Sequence, residues 1–382
     1  MTSEPGAFEP GAFEAGAFEP IAIVAAACRL PGDVSDPDAL WDALCAGRRL
    51  TGPPPPDRED GAPASGGFLT AIGRFDAQRF GLAPAEARLM DPQHRLLLEA
   101  AWELCERSGR APDRTDGAAI GVWLGIALSD YARRSFLGDD PAGWTALAGT
   151  GSLASLAAGR IAHRFGWTGP AIGVDTACSS GLVAVHLACR ALADRECAFA
   201  LAGASNLVLH PAATAVFADL GVLSPSGVCR PFAPDADGYV RGEGVVWFGL
   251  ERLADARVAG HDVLAVIRGS ALGHDGRTTT LTAPSGRAQQ AVIRAALRRA
   301  GVEPDAIGLV ETHGTGTRLG DAVEAGALRA VFGDRGLQIG ALKANLGHLE
   351  AAAGAAGLLK AALAVSRGVV PPELGAAARA AP

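Results

Sequence analysis

Short apolar runs recur along the chain, each bounded by Gly, Pro, Asp or Ser. Those at Ile21-Ala22-Ile23-Val24, 120–126, 171–174, 198–203 and 245–250 have the length and unbroken apolar character of strands buried on both faces. Between them apolar residues take helical spacing, as in Leu182-Val183-Ala184-Val185-His186-Leu187-Ala188. The stretch from Leu96 to Glu103 is a second helix, opened by Asp91 as N-cap and Pro92 as first helical residue. Beyond residue 260 the pattern restarts, with strands at 263–267, 307–310 and 338–342 and helices at 289–300, 322–332 and 349–366. Two successive runs of similar order predict a duplicated α/β architecture, with an N-terminal half over 21–260, a C-terminal half over 261–370 and an irregular tail at 371–382.

Residues 1–20 differ in kind. They repeat Gly6-Ala7-Phe8-Glu9 as Gly11-Ala12-Phe13-Glu14 and Gly16-Ala17-Phe18-Glu19, and Gly or Pro every few positions blocks a helix. This predicts a disordered leader.

Composition narrows the function classes. The 382 residues are 49% hydrophobic and 20% charged with a net charge of −7, which disfavours a surface for nucleic acid. No apolar run is long enough to cross a bilayer, and the N-terminus lacks a basic start followed by an apolar stretch, so a cytoplasmic protein without membrane contact is expected. The seven cysteines form no CxxC pairs, which argues for reduced thiols and against a zinc site.

Three distant segments carry chemistry. In Asp175-Thr176-Ala177-Cys178-Ser179-Ser180-Gly181 the thiol falls at a strand-to-helix turn among small neighbours, where backbone N–H groups and the helix end are expected to favour thiolate. In Glu311-Thr312-His313-Gly314-Thr315-Gly316-Thr317 a histidine leaves a strand into a glycine-rich loop with hydroxyl donors. That loop is not a GxxxxGK[ST] phosphate cradle, so nucleotide binding is rejected. In Lys343-Ala344-Asn345-Leu346-Gly347-His348 the imidazole is placed at the start of the last helix, whose end favours the neutral ring and hence an N–H donor for an enolate oxygen. Lys343 needs a carboxylate if buried, and Glu324 is the candidate. His94, in the first turn of its helix, reads as structural.

On these segments, and on Met90-Asp91-Pro92-Gln93 and Pro231-Phe232 through Gly242-Glu243-Gly244, the chain resembles the β-ketoacyl synthase family, in particular the ketosynthase domains of polyketide synthases, from about Ile21 through Gly368. The resemblance implies a thiolase-like fold of two pseudo-duplicated halves in an αβαβα arrangement, and a dimer, either of this chain or with a related synthase chain. It implies an acyltransferase in which Cys178 takes an acyl chain from the phosphopantetheine arm of an acyl carrier protein. His313 and His348 then promote decarboxylative condensation with a malonyl-type extender. Lys343 and Glu324 match the family's ion pair, and Thr315 and Thr317 match positions that bind pantetheine. No metal and no dissociable cofactor is implied. Ala322 stands where Pro is usual and Ala344 where Ser is usual. Family members continue beyond the last helix with two strands and a glycine-rich loop that supplies an oxyanion-hole N–H, so the second half is expected to lack its last two strands. That expectation leaves two alternatives open: an acyl-Cys enzyme that does not extend its substrate, and a non-catalytic partner of a full-length synthase.

Overall fold

The structure is a computed structural model that describes residues 18–374 apart from 59–61, 128 and 335. The leader up to residue 17, and the tail from residue 375, lie outside the described residues.

Strand β1 (Ile21–Arg29) leads to helix α1 (Pro37–Cys45), whose N-cap Asp36 accepts from the Ala39 N–H. Helices α2 (Pro84–Leu89) and α3 (Pro92–Arg107) follow, and α3 starts as its sequence predicts, with the Asp91 carboxylate on the Gln93 N–H and Pro92 in the first turn. Then come β2 (Ile120–Gly125), α4 (Ala146–Ser152), α5 (Ala154–Phe165), β3 (Ala171–Val174), α6 (Ser180–Ala193), β4 (Phe199–Asn206), α7 (Pro211–Asp219), β5 (Gly244–Arg252) and α8 (Leu253–Ala259). The remainder is β6 (Ala265–Ile267), α9 (Gly286–Ala300), β7 (Leu309–Glu311), α10 (Arg318–Phe332), β8 (Gln338–Gly340), α11 (Lys343–Leu346) and α12 (Ala353–Arg367).

Six strands form one mixed sheet in the order β3-β2-β4-β5-β1-β6. Strand β2 runs parallel to β3 and β4, while β5 is antiparallel to both β4 and β1. Strands β1, β2, β4 and β5 are buried nearly throughout, as continuous apolar runs demand. Strand β3 departs from the expectation of burial: it closes one edge of the sheet and is largely exposed, with Ile172 43% accessible. The 263–267 run also departs from its assignment, because β6 pairs antiparallel with β1 and so extends the first sheet rather than opening a second. The second sheet is the parallel pair β7-β8.

Side-chain alternation sets the layers. Leu97, Leu98 and Leu104 of α3 and Ile161 and Phe165 of α5 pack on one face of the large sheet. Val185 and Leu192 of α6 share a cluster with Leu359 and Leu363 of α12 on the other face, and Leu309 of β7 packs against that cluster. Val310 and Ile339 point the opposite way, toward Ile293 and Leu297 of α9 and Leu328 and Phe332 of α10. The order is therefore helices, sheet, a central helical layer, a small sheet and outer helices, which is the αβαβα arrangement. Among the described residues no helix is long and apolar enough to cross a membrane.

Candidate active site

The chain leaves β3 at Asp175 and turns through Ala177, a non-glycine residue at φ +53°, before a single 3-10 turn over Ala177–Ser179 feeds α6. Side chains lock this turn. The Ala177 N–H donates to Asp175 Oδ1 at 3.0 Å, the Thr176 N–H to Ser180 Oγ at 2.8 Å, and the Ser180 hydroxyl to the Ala177 carbonyl at 2.7 Å. Behind it, Gly125 of β2 lies so close that a Cβ there would meet the Gly181 nitrogen at 2.6 Å. Cys178 is thus fixed at a strand-to-helix turn, half-buried, as its sequence predicts. Its acidity does not follow the prediction. Desolvation raises the thiol above its ordinary value, and the nearby Lys343 ammonium offsets this only in part.

His313 follows β7. The Glu324 carboxylate on α10 accepts the His313 N–H at 2.7 Å and the Gly314 N–H at 2.9 Å, and Lys343 Nζ donates to the His313 carbonyl at 2.5 Å. The expected Lys343–Glu324 ion pair is therefore not a direct contact: among the described residues the two are not within 4.0 Å. Both instead grip the peptide units flanking the His313 Cα, and Lys343 still favours ionised Glu324 through space while burial opposes it. Thr315 and Thr317 face one another, hydroxyls 2.9 Å apart, and do not line the cavity that holds Cys178.

His348 is not at the start of a helix, as its sequence suggested. It lies in a connector between α11 and a 3-10 turn at Glu350–Ala352, ahead of α12. The ring is 1% exposed and packs edge-on against Tyr239 at 4.8 Å and against His313 at 5.5 Å between centroids. Its Nδ1 accepts the Glu350 N–H at 2.9 Å, which places the proton of the neutral ring on Nε2. Burial, then the charge of Lys343, holds the imidazole well below its ordinary pKa. The same two causes lower His313, whose ring is open to the cavity. Desolvation, rather than a helix end, is what favours the neutral His348 ring.

Cys178, His313 and Lys343 line one cavity of about 870 Å³, whose wall also includes small residues of α12 such as Ala353, Gly354 and Gly357. His348 stands immediately behind His313, with Gly347 and Leu349 on either side of it in the wall. Sequence reasoning missed the support beneath the cavity. Lys360 Nζ lies 2.8 Å from Glu311 Oε2 and is also bonded to Glu373, while Glu311 and Glu373 accept the Leu342 and Ala341 N–H groups. The signal was a single lysine in the otherwise uncharged run from Ala351 to Ser366.

Residues 18–256 match the β-ketoacyl synthase N-terminal domain and residues 264–377 the β-ketoacyl synthase C-terminal domain. A phenolphthiocerol/phthiocerol polyketide synthase polypeptide of Mycobacterium tuberculosis is 47% identical over 371 residues, covering 93% of this chain and 24% of that protein. The polyketide synthase GfsA of Streptomyces halstedii is 46% identical over 375 residues, covering 93% of this chain and 5% of that protein. The chain thus spans a quarter or less of the length of these curated relatives. Among solved structures, the ketosynthase from module 6 of the bacillaene synthase of Bacillus subtilis superposes with a TM-score of 0.86 at 36% identity, over 93% of this chain and 62% of that one. The oxazolomycin ketosynthase domain of Streptomyces albus gives a TM-score of 0.86 at 35% identity, over 94% of this chain and 66% of that one.

Proposed function

The chain belongs to the β-ketoacyl synthase family, with the ketosynthases of polyketide synthases as its relatives, and we propose that it joins an acyl group to a malonyl-type extender with loss of carbon dioxide. In the first half-reaction the Cys178 sulfur attacks an acyl-phosphopantetheine thioester on an acyl carrier protein. A new carbon–sulfur bond forms to Cys178, the pantetheine sulfur leaves, and the Cys178 proton passes to it. In the second, the carboxylate of a malonyl-type thioester departs as carbon dioxide. Its electron pair forms an enolate whose oxygen is stabilised by the Nε2–H of His348 and by His313. The enolate carbon then attacks the acyl-Cys178 carbonyl and the sulfur is released. The neutral state of both imidazoles suits this role, since a neutral N–H stabilises the developing oxyanion without surrendering its proton.

The observation that carries this reading is the Glu350 N–H on His348 Nδ1, beside His313, with Cys178 and His313 on one cavity. Lys343 and Glu324 serve by holding the His313 backbone, and Thr315 and Thr317 by contacting the pantetheine arm once their paired hydroxyls part. Incubation with acyl- and malonyl-carrier proteins should give a Cys178-dependent acyl adduct by intact mass, then carbon dioxide and a β-ketoacyl product. An adduct with no carbon dioxide would replace this reading with acyl transfer without extension. No adduct would leave a non-catalytic partner.

We further infer a homodimer formed along the outer edge of β3, which has no strand partner among the described residues and exposes Ile172. Light scattering coupled to gel filtration tests it, and a monomer at micromolar concentration would overturn it. Seven free cysteines accord with a reducing, cytoplasmic setting.

A further inference from the structure

The main chain around His348 is gripped on two sides by residues 240–242. The His348 N–H donates to the Val240 carbonyl at 2.7 Å, and the His348 carbonyl accepts the Gly242 N–H at 2.7 Å. Between these two bonds Arg241 sends its side chain inward rather than to solvent. The guanidinium is 1% exposed and makes a forked contact with Glu350, Nε to Oε1 at 2.5 Å and Nη2 to Oε2 at 3.1 Å, while Nη1 donates to Thr214 Oγ1 of α7 at 2.8 Å. Glu350 is the residue whose N–H reaches His348 Nδ1, and it does so in a left-handed conformation, φ +46°.

That combination is unusual for a side chain. Glycine would adopt the same φ at far lower cost, so a glutamate there is held against strain by something its carboxylate provides. The carboxylate provides the Arg241 fork. We propose that Arg241 and Glu350 are positioning residues for His348: their ion pair clamps the strained turn that delivers the Glu350 N–H to Nδ1, and so keeps the ring proton on Nε2. This rests on the oxyanion role assigned to His348 above. Neither residue is hydrogen-bonded to Cys178, and the Glu350 charge only raises the thiol, so loss of the pair should impair decarboxylation and not acylation.

Three measurements on the full chain test this. The ring tautomer of His348 is read by long-range proton–nitrogen correlation on labelled protein, Cys178 acylation by intact mass, and carbon dioxide release with malonyl-carrier protein. Glu350→Ala removes the fork and leaves the strained φ, while Glu350→Gln and Arg241→Lys retain part of the fork and guard against a variant that does not fold. Wild type should show a single Nε2–H tautomer. Glu350→Ala should show a mixture, with carbon dioxide release down at least about ten-fold and acylation within about two-fold of wild type. The two milder variants should fall between. An unchanged tautomer in folded Glu350→Ala or Glu350→Gln would overturn the proposal, as would equal losses in acylation and decarboxylation. The tautomer is read without turnover, so wild type that releases no carbon dioxide counts against the proposed reaction and leaves the positioning role to be decided by the spectrum.

Discussion

Replacing Lys360 with Met should destabilise the fold in a manner that depends on pH. The ammonium is 1% exposed and sits between the Glu311 carboxylate at 2.8 Å and that of Glu373, whose own exposures are 9% and 6%. Methionine fills much of the same volume without the charge, so the loss is electrostatic: two buried carboxylates face one another with no cation between them. Removing one partner of a buried pair typically costs about 3–5 kcal/mol. Burial already raises the Glu311 pKa despite Lys360, and without the cation it rises further. A carboxyl group whose folded pKa lies above its unfolded value costs nothing below the unfolded pKa, adds about 1.4 kcal/mol of penalty per pH unit between the unfolded and the folded pKa, and adds no more beyond the folded one. Urea unfolding of wild type and Lys360→Met between about pH 5 and pH 8 should therefore show a gap that is small in acid and widens toward several kcal/mol. The triple variant Lys360→Met with Glu311→Gln and Glu373→Gln should recover much of it, because no unpaired charge remains. A gap under about 1 kcal/mol at pH 8, or one that does not change with pH, would refute the reasoning.

The remaining predictions concern the site and its surroundings. Alkylation of Cys178 by iodoacetamide should still be accelerating at pH 9, because desolvation raises the thiol, whereas a plateau below pH 8 would mean the thiolate is favoured instead. Gly125→Ala should slow Cys178 acylation and cost about 1–3 kcal/mol in urea unfolding, since the new Cβ would sit 2.6 Å from the Gly181 nitrogen, and unchanged values for both would show that the turn yields freely. His94 is buried with neither ring nitrogen bonded among the described residues, and its pKa is lowered to about 3 by burial and then by Arg160. An imidazole depressed in the fold stabilises while both states are neutral, and this is lost as pH falls from 6.5 toward 3, a range on the order of 5 kcal/mol. His94→Gln should accordingly flatten the fall in urea midpoint between about pH 6 and pH 4, and an unaltered slope would exclude His94 as an acid trigger.

The strands were legible because an apolar run bounded by breakers states its own burial, and β1, β2, β4, β5, β7 and β8 all fall on such runs. Pairing was not legible. Nothing in Val263-Leu264-Ala265-Val266-Ile267 says that the strand joins β1 rather than starting a new sheet, because register is decided by a partner far away in the chain. The exposed β3 reads like a buried strand for the same reason, since an apolar strand at a sheet edge has the same composition as a covered one. At the site, residue types carried the chemistry, while the backbone escaped notice. The run from Leu349 to Ser366 reads as one helix, yet it breaks at Glu350, whose φ of +46° no propensity forecasts. Lys343 and Glu324 suggested a direct pair because opposite charges in an apolar setting must be compensated, but each found the main chain of His313 first.

The two unusual φ values nearest the site explain why its segments can be so far apart in sequence and still act together. Ala177 at +53° precedes the thiol, and Glu350 at +46° supplies the N–H to His348. Such a residue costs on the order of 1–3 kcal/mol and persists only where its surroundings over-determine it. Both are over-determined by side chains: Asp175 and Ser180 close the Ala177 turn, and Arg241 closes the Glu350 turn. Each closure makes the local geometry independent of whether a substrate is present. Donors already aimed at a developing oxyanion need not reorganise when charge appears, and that preorganisation is the larger part of electrostatic catalysis. The strain therefore holds the Cys178 sulfur on the cavity and the His348 ring behind His313, and in the reaction proposed above neither a flexible loop nor an unstrained helix end would hold both still.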